Sequence, residues 1–357
     1  GTKGIHLPVQ DRINRASPVN AVQNLPTYLS APSQATLDSL PYTLAYLKTH
    51  TGDGTACGSS NCGSYSQAYL ANGFASNMTA FMPWGSSNYN GLQVQLQRNF
   101  TNGLQFQLSY TWSHALDNST ADVFSTWLTP RRPQDFGCVS CDYSTSALNR
   151  AQRLTFAATY DAPWFKNDNW VKKNLLGNWQ ISPVFTYQSP EYATVNSGGT
   201  GYDSNLNRDT AGDRSIINYA GVAGTSSDVT PLTNSNGAVV AYQANTPTAY
   251  YIAAGAGAYA TAQRNTMPIN PIDNLDLSIL KRLNITERQN LEFQAQFLNL
   301  FNHAQYLPGY ISDVAPIGYT GSNVLQYLSP GSPSFNTANQ VFTNHPRQLV
   351  LVVKYNF

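Results

Sequence analysis

The stretch Arg347-Gln-Leu-Val-Leu-Val-Val-Lys-Tyr-Asn-Phe357 decides the fold. Its odd-numbered positions are apolar from residue 349 onward: Leu349, Leu351, Val353, Tyr355 and Phe357. Its even-numbered positions are polar except at two valines: Gln348, Lys354 and Asn356, with Val350 and Val352 between them. Because side chains alternate across a strand, this pattern predicts a β-strand with one apolar and one mixed face. An aromatic last residue is typical of the girdles at a bilayer edge, whereas a buried edge strand of a soluble protein is the alternative.

The composition favours a membrane barrel. Charged residues make up 11% and aromatic residues 12% of the 357 residues, whereas soluble domains carry about 25% charge. No apolar run in the sequence reaches the ~20 residues that a membrane-spanning helix needs. A chain with few charges and 22 Tyr suits a barrel, because only alternate residues of each strand face lipid. A secreted soluble β-sandwich that binds glycans also fits, and a net charge of +1 gives no sign of nucleic-acid binding.

The same alternation predicts six further strands. They cover residues 91–100, 104–114, 153–161, 178–188, 274–283 and 289–301. Between the first two, Asn102 and Gly103 supply the positive φ that a tight hairpin turn requires. The polar positions of this hairpin are Gln, Ser and Thr with almost no charge, as expected of a wall that faces an aqueous lumen or a plug.

The connections between these strands alternate in length. Those after residues 100, 161 and 283 are short, whereas the others are long and cover residues 115–150, 189–272 and 302–345. Outer-membrane barrels have short periplasmic turns and long extracellular loops, so we expect the three long segments outside the cell. The fold class predicted is all-β, an antiparallel transmembrane β-barrel. Residues 90–357 would carry its strands, and residues 1–89 would be an extracellular loop region with room for one more strand.

Several segments resemble the C-terminal barrel region of Oar-like TonB-dependent outer-membrane receptors. They are residues 87–98, 106–114, 176–182, 274–281, 285–288 and the motif Phe297-Leu-Asn-Leu-Phe-Asn-His303. The resemblance covers residues 87–357 in family order, and residues 1–86 match less clearly. It implies an outer-membrane protein with a large barrel of about 22 strands, closed by an N-terminal plug. It also implies that TonB acts through a plug-bearing remainder, since neither plug nor TonB-contacting segment is visible in these residues.

Two groups of residues are assigned to the membrane environment. The apolar positions of the last strand (Leu349, Leu351, Val353, Tyr355 and Phe357) resemble the C-terminal signal that the barrel-assembly machinery of Gram-negative bacteria reads. We therefore expect that machinery and outer-membrane lipid as partners. The second group is a predicted aromatic girdle formed by Tyr110, Trp112 and Tyr187.

The four cysteines form two close pairs in loops rich in Gly and Ser. Cys57 is close in sequence to Cys62, and Cys138 is close to Cys141. In an oxidising compartment an even number of cysteines predicts two local disulfides. A redox or zinc site is the alternative, although zinc needs four ligands and few histidines lie nearby.

One loop segment is a candidate cation site. Oxygen ligands recur at every second position, at Asp203, Asn205, Asn207 and Asp209, as they do in Ca²⁺-binding loops. Arg208 stands where such loops carry a glycine, and no glutamate follows at the twelfth position. A turn rich in Asp and Asn is therefore the alternative, and no other cofactor is expected.

The sequence contains no motif of a hydrolase, metalloprotease or nucleotide-binding enzyme. We therefore expect no enzymatic activity. The predicted function is to form barrel wall and ligand-facing extracellular loops of a TonB-dependent receptor or transporter. A structural or adhesive surface protein without active transport is one alternative, and the glycan-binding sandwich is the other.

An odd number of strands predicts an incomplete barrel. Bacterial single-chain barrels have even strand numbers, and seven strands are predicted with two unpaired edges. We expect the strand at 91–100 and the last strand to pair with the N-terminal remainder of the barrel or with another chain. Because the sequence begins at Gly1 without an initiator Met or signal peptide, a processed product or a part of a longer polypeptide is expected.

Overall fold

A computed structural model describes residues 1–50, 56, 64–119, 132–197, 203–208, 213–286, 288–306, 323–341 and 345–357. Its main element is an antiparallel sheet of nine strands. Eight are long and are labelled in chain order: β1 (Thr2–Arg12), β2 (Thr79–Thr101), β3 (Leu104–Asp117), β4 (Gln152–Asp161), β5 (Trp179–Gln188), β6 (Ile272–Asn284), β7 (Asn290–Leu298) and β8 (Gln348–Asn356). The ninth strand, Ser144–Thr145, pairs with the end of β3.

Each long strand pairs with the next long strand in the sequence, so the sheet is an antiparallel meander. We call residues 91–101 of β2 together with β3–β8 the wall. The strands β2–β8 correspond to the seven strands that the alternation predicts, with ends that differ by a few residues except at the start of β2. The all-β antiparallel fold class is therefore confirmed.

The tight turn between β2 and β3 forms where the sequence predicts it. Asn102 has φ 52° and Gly103 has φ 80°, both in the left-handed region. A Cβ atom on Gly103 would lie 2.5 Å from the carbonyl oxygen of Asp161, so this position needs glycine for close approach as well as for its φ.

Residues 1–89, expected to be a loop region with room for one more strand, contain β1 and the first part of β2. Residues 2–12 form β1, and β2 begins at Thr79, so the predicted boundary at residue 89 falls inside a strand. The alternation fails here for a physical reason. The β1–β2 register shifts on both sides of Leu7, and His6 has φ 56°. Such bulges place extra residues in one strand and break the two-residue period.

The height of the wall matches a bilayer. β4 and β5 have ten residues and β7 and β8 have nine, while about 9–11 residues suffice for a tilted transmembrane strand. β2 has 23 residues and extends well beyond this height. β1 pairs with the extension, from Thr2 opposite Tyr89 to Arg12 opposite Thr79. β1 therefore lies outside the membrane-spanning part, at the end of the wall where the long connections begin.

The long connections fold together at that end. We call the described parts of residues 13–78, 118–151, 189–271 and 299–347 the loop layer. Its short strands are Thr27–Tyr28, Tyr192–Ala193, Ile216–Ile217, Val222–Ser227, Val229–Thr233, Val239–Ala244, Ala249–Ile252 and Met267–Pro268, besides Ser144–Thr145. Its helices are Gln34–Asp38, Leu44–Thr49, Gln67–Ala71, Asn323–Leu328 and Ala338–Val341, with a 3₁₀ turn at Val139–Asp142. Among the described residues no helix is long and apolar enough to cross a bilayer.

The loop layer contains nearly all of the buried apolar side chains. Of the described ones, all except Val9 and Ala162 lie in it. Leu25 and Leu47 pack with Tyr242 and Ile252 in the largest cluster, which joins the N-terminal region to the connection between β5 and β6. The long connections therefore form a packed unit of their own and not a set of separate loops.

Candidate functional site: the wall faces and the loop layer

One face of the wall is apolar in register across several strands. Cross-strand partners on this face form a row of Leu96, Leu108, Phe156, Phe185 and Leu275. A second row consists of Pro183, Leu277, Phe297 and Leu349. Leu96 and Leu349 are exposed and the other seven side chains are half-buried, and together they form a continuous apolar surface across the strands. This face is suited to contact lipid.

The predicted assembly-signal residues lie on this apolar face. Leu349, Leu351, Val353 and Tyr355 lie opposite apolar residues of β7. Tyr355 also stacks on Phe357 with ring centroids 5.8 Å apart. The structure brings these residues together at the edge strand, and their recognition by the assembly machinery stays a prediction.

The predicted girdle residues share one end of the wall. Tyr110 and Tyr187 flank Leu154, since both are its cross-strand partners. Trp112 lies two residues nearer to the loop layer on β3 and is exposed. Their positions suit an aromatic girdle at the end of the apolar face nearest the loop layer, and the girdle assignment itself stays a prediction.

The opposite face of the wall is polar and hydrogen-bonded. Gln294 donates to Ser278 Oγ at 2.7 Å, and Gln180 donates to Asp161 Oδ1 at 2.7 Å. Arg282 pairs with Glu292 at 2.8 Å. Side chains of this type suit a wall that faces water or a polar plug.

Two buried ion pairs stabilise the loop layer: Arg264–Asp117 joins it to the end of β3, and Arg214–Asp142 lies within it. Arg264 contacts Asp117 Oδ1 at 2.5 Å and donates to the carbonyl of Asp142 at 3.1 Å. Arg214 contacts the Asp142 carboxylate at 3.2 Å. Both arginine side chains are almost completely buried, and burial lowers the pKa of Arg214 while the Asp142 charge opposes that shift. Sequence reasoning missed all four residues, because single charges far apart in polar loops form no spacing pattern.

The local disulfide between Cys138 and Cys141 is present. The disulfide spans the 3₁₀ turn that contains Asp142. It therefore restrains the Asp142 carboxylate, which forms the ion pair with Arg214. Cys57 and Cys62 lie outside the described residues, and their predicted pairing stays a prediction. Among the described residues no group of three His, Cys, Asp or Glu side chains is placed to hold a metal ion.

A cleft of about 300 Å³ opens beside this turn. It lies where the connection between β3 and β4 meets the connection between β5 and β6. Its polar lining includes Gln134, Asp135, Asp142 and Asn205, and Tyr259 adds an aromatic ring. Asn205 Nδ2 donates to the carbonyl of Gln134 at 2.7 Å, which fixes one wall of the cleft. Polar groups around an aromatic ring suit contact with a polar part of a ligand.

The pKa values of two carboxyl groups, those of Asp11 and Glu191, are raised. Burial raises the pKa of Asp11 from 3.8 to about 6; the charge of Asp135 adds to the shift, and the backbone N–H of Arg12 opposes it. Burial also raises the pKa of Glu191, and the charge of Arg150 opposes that shift. The Asp11 carboxyl therefore changes charge near pH 6 close to a cleft residue.

The candidate Ca²⁺ segment uses its oxygens within the chain. Asp203 Oδ2 accepts from the backbone N–H of Arg208 at 2.9 Å, and Asn205 Oδ1 accepts from that of Asn207 at 3.2 Å. Asp209 lies outside the described residues. The described part thus forms the Asp- and Asn-rich turns that were the alternative, and Ca²⁺ binding stays an untested prediction.

The motif Phe297-Leu-Asn-Leu-Phe-Asn-His303 closes the base of the last long connection. Asn299 donates from Nδ2 to the carbonyls of His303 and His345, both at 2.8 Å. Asn302 Oδ1 accepts from the backbone N–H of Arg347 at 2.9 Å. Both asparagines have positive φ, 53° and 54°, which Asn tolerates better than most residues. These asparagines are visible in the sequence, but the clamp they form is not.

Each edge of the wall has one neighbouring strand among the described residues. Residues 91–101 pair there with β3 alone, because β1 pairs with the earlier part of β2, residues 79–89. Within the described part of the chain β8 pairs only with β7. An unpaired strand edge leaves backbone N–H and C=O groups without partners in hydrocarbon.

Comparisons with known proteins place the chain as follows. A family model described as "Outer membrane beta barrel domain" matches residues 1–340. None of the curated proteins matches. Among solved structures the chain is similar to the outer membrane transporter YddB from Escherichia coli, with 8% identity and a TM-score of 0.30. The match covers 66% of this chain and 24% of that one, so the chain spans about a quarter of the transporter's length.

Proposed function

This chain belongs to the outer membrane β-barrel domain family and is located in the bacterial outer membrane, and we propose that it forms wall and ligand-facing loops of a TonB-dependent receptor. The proposed receptor is of the Oar-like type, and its ligand is bulky. TonB would act through a plug-bearing part of the protein outside the residues of this chain.

The observation that carries the proposal is the loop layer. The long connections meet at one end of the wall, share a buried core and enclose the cleft beside Asp142. A receptor needs a stable surface that presents polar groups to a ligand. Buried ion pairs and a disulfide give the loop layer that stability in water.

The wall would be completed by other strands. Residues 91–101 and β8 present open edges on opposite sides, and each unsatisfied backbone group in hydrocarbon costs several kcal/mol. We therefore assign their partners to the N-terminal remainder of the barrel and plug, or to another chain. The barrel-assembly machinery would insert the wall with β8 as its recognition strand.

A structural or adhesive surface protein is the second candidate. The packed core of the loop layer also favours it, because a rigid layer can display contact surfaces without any transport. In both cases we infer a non-catalytic role.

The experiment compares three strains: wild type, a strain without the gene and a strain without TonB. Solutes removed from the spent medium are measured by untargeted mass spectrometry. A receptor predicts that the same solute stays in the medium of both mutant strains. Removal of the same solutes by all three strains, with loss of surface adhesion only in the gene mutant, would contradict transport and favour display.

A further inference from the structure

The connection between β4 and β5, residues 162–178, is held at the short-turn end of the wall. It contains the helix Trp170–Leu175, which Asn169 caps by accepting from the backbone N–H of Lys172 at 2.9 Å. Asn174 and Asn284 exchange two hydrogen bonds, of 3.2 and 2.8 Å. Trp170 Nε1 donates to the same Asn284 carbonyl at 3.1 Å. The helix is therefore fixed against the turn between β6 and β7.

This fixed connection exposes its apolar side chains. Six large ones are between 41% and 66% exposed: Trp164, Phe165, Trp170, Val171, Leu175 and Leu176. The buried residue of the helix is the polar Asn174. A helix that packed on protein in water would show the reverse pattern. The exposed set lies at the same end of the wall as Tyr355, which is on the apolar face, and Phe357, whose ring stacks on Tyr355.

The connection is also basic. It contains Lys166, Lys172 and Lys173 against one acid, Asp168, a net charge of 3 − 1 = +2. The chain as a whole has 20 basic and 19 acidic residues, so the excess is local. Lys172 is more than half exposed and contacts Asp168 at 3.8 Å, a distance that leaves it able to contact another anion.

Lys281 shows which face of the wall the connection adjoins. Its cross-strand partners are Trp179 and Phe293, which places it on the apolar face. Its Nζ lies 4.9 Å from the Trp179 ring centroid and donates to the carbonyl of Gly177. The connection is thus tied to the lipid-facing side of the wall.

We propose that residues 162–178 bind anionic phospholipid of the periplasmic leaflet. The exposed aromatic and aliphatic side chains enter the boundary between headgroups and acyl chains, as amphipathic interfacial elements do. Lys166, Lys172 and Lys173 contact the headgroup phosphates, since each basic residue near an anionic surface adds attraction. The apolar side chains continue the lipid-facing surface of the wall. This inference rests on the proposed function and on the orientation expected from the connection lengths, with short turns in the periplasm.

The first test measures lipid retention on the purified full-length protein by native mass spectrometry. The probes are phosphatidylglycerol and phosphatidylcholine added to delipidated protein. We expect wild type to retain the anionic lipid on the order of tenfold better. The variant Lys166→Gln/Lys172→Gln/Lys173→Gln should lose that preference. The control Lys3→Gln/Lys48→Gln, changed at two exposed lysines far from the connection, should keep it. Equal retention of both lipids by wild type, or an unchanged preference in the triple variant, would overturn the inference.

A second test does not depend on the triple variant. Tryptophan fluorescence in nanodiscs is quenched by lipids brominated either near the headgroup or near the acyl-chain end. Trp170→Phe should remove part of the quenching by the headgroup-proximal bromines and leave the deep quenching unchanged. No change would mean that Trp170 is covered by protein, such as a plug, and would refute the lipid site alone. Wild-type protein that fails to enter nanodiscs would refute the membrane wall, and the lipid site with it.

Discussion

The wall and the loop layer use the same apolar residue types in opposite ways. In the wall Leu351 is 73% exposed, whereas in the loop layer Leu25 and Ile252 are each 1% exposed. The difference follows from the solvent. Lipid accepts apolar side chains at no cost, so the wall exposes them, and water drives them into a core in the loop layer.

This contrast separates the sources of stability. The wall depends on backbone hydrogen bonds between strands and on contact with lipid, since no water competes for those bonds. The loop layer depends on a buried core, two buried ion pairs and a disulfide. Changes confined to one region should therefore leave the other intact, and the predictions below test that separation.

The largest effect is expected at Arg264. Arg264→Ala removes the buried partner of Asp117 and should destabilise the loop layer by ~3–5 kcal/mol, because a buried carboxylate loses its counter-charge. Hydrogen exchange of loop-layer amides should speed up while that of wall amides stays slow. Arg282→Ala is the control, since its pair with Glu292 is partly exposed and contributes at most about 1 kcal/mol. Equal effects of the two variants would contradict the assignment of the buried pair.

The next effect concerns the wall. Leu351→Arg places a charge at mid-height on the lipid-facing side and should cost ~2–4 kcal/mol, measured by urea titration in lipid. Gln107→Arg, on the polar face, should be nearly neutral. Comparable losses at both positions would favour a soluble sandwich, in which neither face contacts lipid.

The third effect is a pH dependence of the loop layer and β1. The folded-state pKa of Asp11 is raised from 3.8 to about 6, so folding favours its protonated form. The resulting stabilisation is complete below pH 4 and is lost as the pH rises through 6. Asp11→Asn should remove this decline and gain on the order of 1–3 kcal/mol at pH 7. If the free energy of unfolding still declines between pH 4 and 7 in Asp11→Asn, another group causes the pH dependence.

The smallest effect is expected from the disulfide. Cys138 and Cys141 are three positions apart, and so small a loop gives at most about 2 kcal/mol of stabilisation. Cys138→Ser/Cys141→Ser should weaken the loop layer and leave the wall unchanged in the same exchange experiment. Peptide mapping should find both thiols oxidised in wild type, because exported proteins meet no reducing glutathione pool. Free thiols at both positions would contradict the pairing.

The wall was largely predictable because its period is local. Alternation from Leu92 to Trp112 is uninterrupted apart from Arg98 and the turn at Asn102 and Gly103, and the register follows from that turn. β1 was not predictable, since the shifts around Leu7 remove the period. The Cys138–Cys141 disulfide was predictable because its partners are neighbours in sequence.

The loop layer was hardly predictable, because its contacts join residues far apart. Arg264 and Asp117 are separated by 147 positions, and no repeat or spacing connects them. Asn299 belongs to a recognisable motif, yet its bonds to His303 and His345 appear only when both ends of a long connection meet. Sequence periodicity therefore predicts strands in a wall far better than it predicts packing between loops.

The most direct test of the contrast is the lipid accessibility of consecutive residues on β8. The four natural cysteines are replaced by serine, and one cysteine is then introduced at each of positions 349–353 in turn. Each variant is spin-labelled and measured in lipid bilayers. Oxygen accessibility should be high at Leu349, Leu351 and Val353 and low at Val350 and Val352, although all five are apolar. Such an oscillation comes from strand geometry in lipid and not from residue type. Equal accessibility at all five positions would contradict a membrane wall.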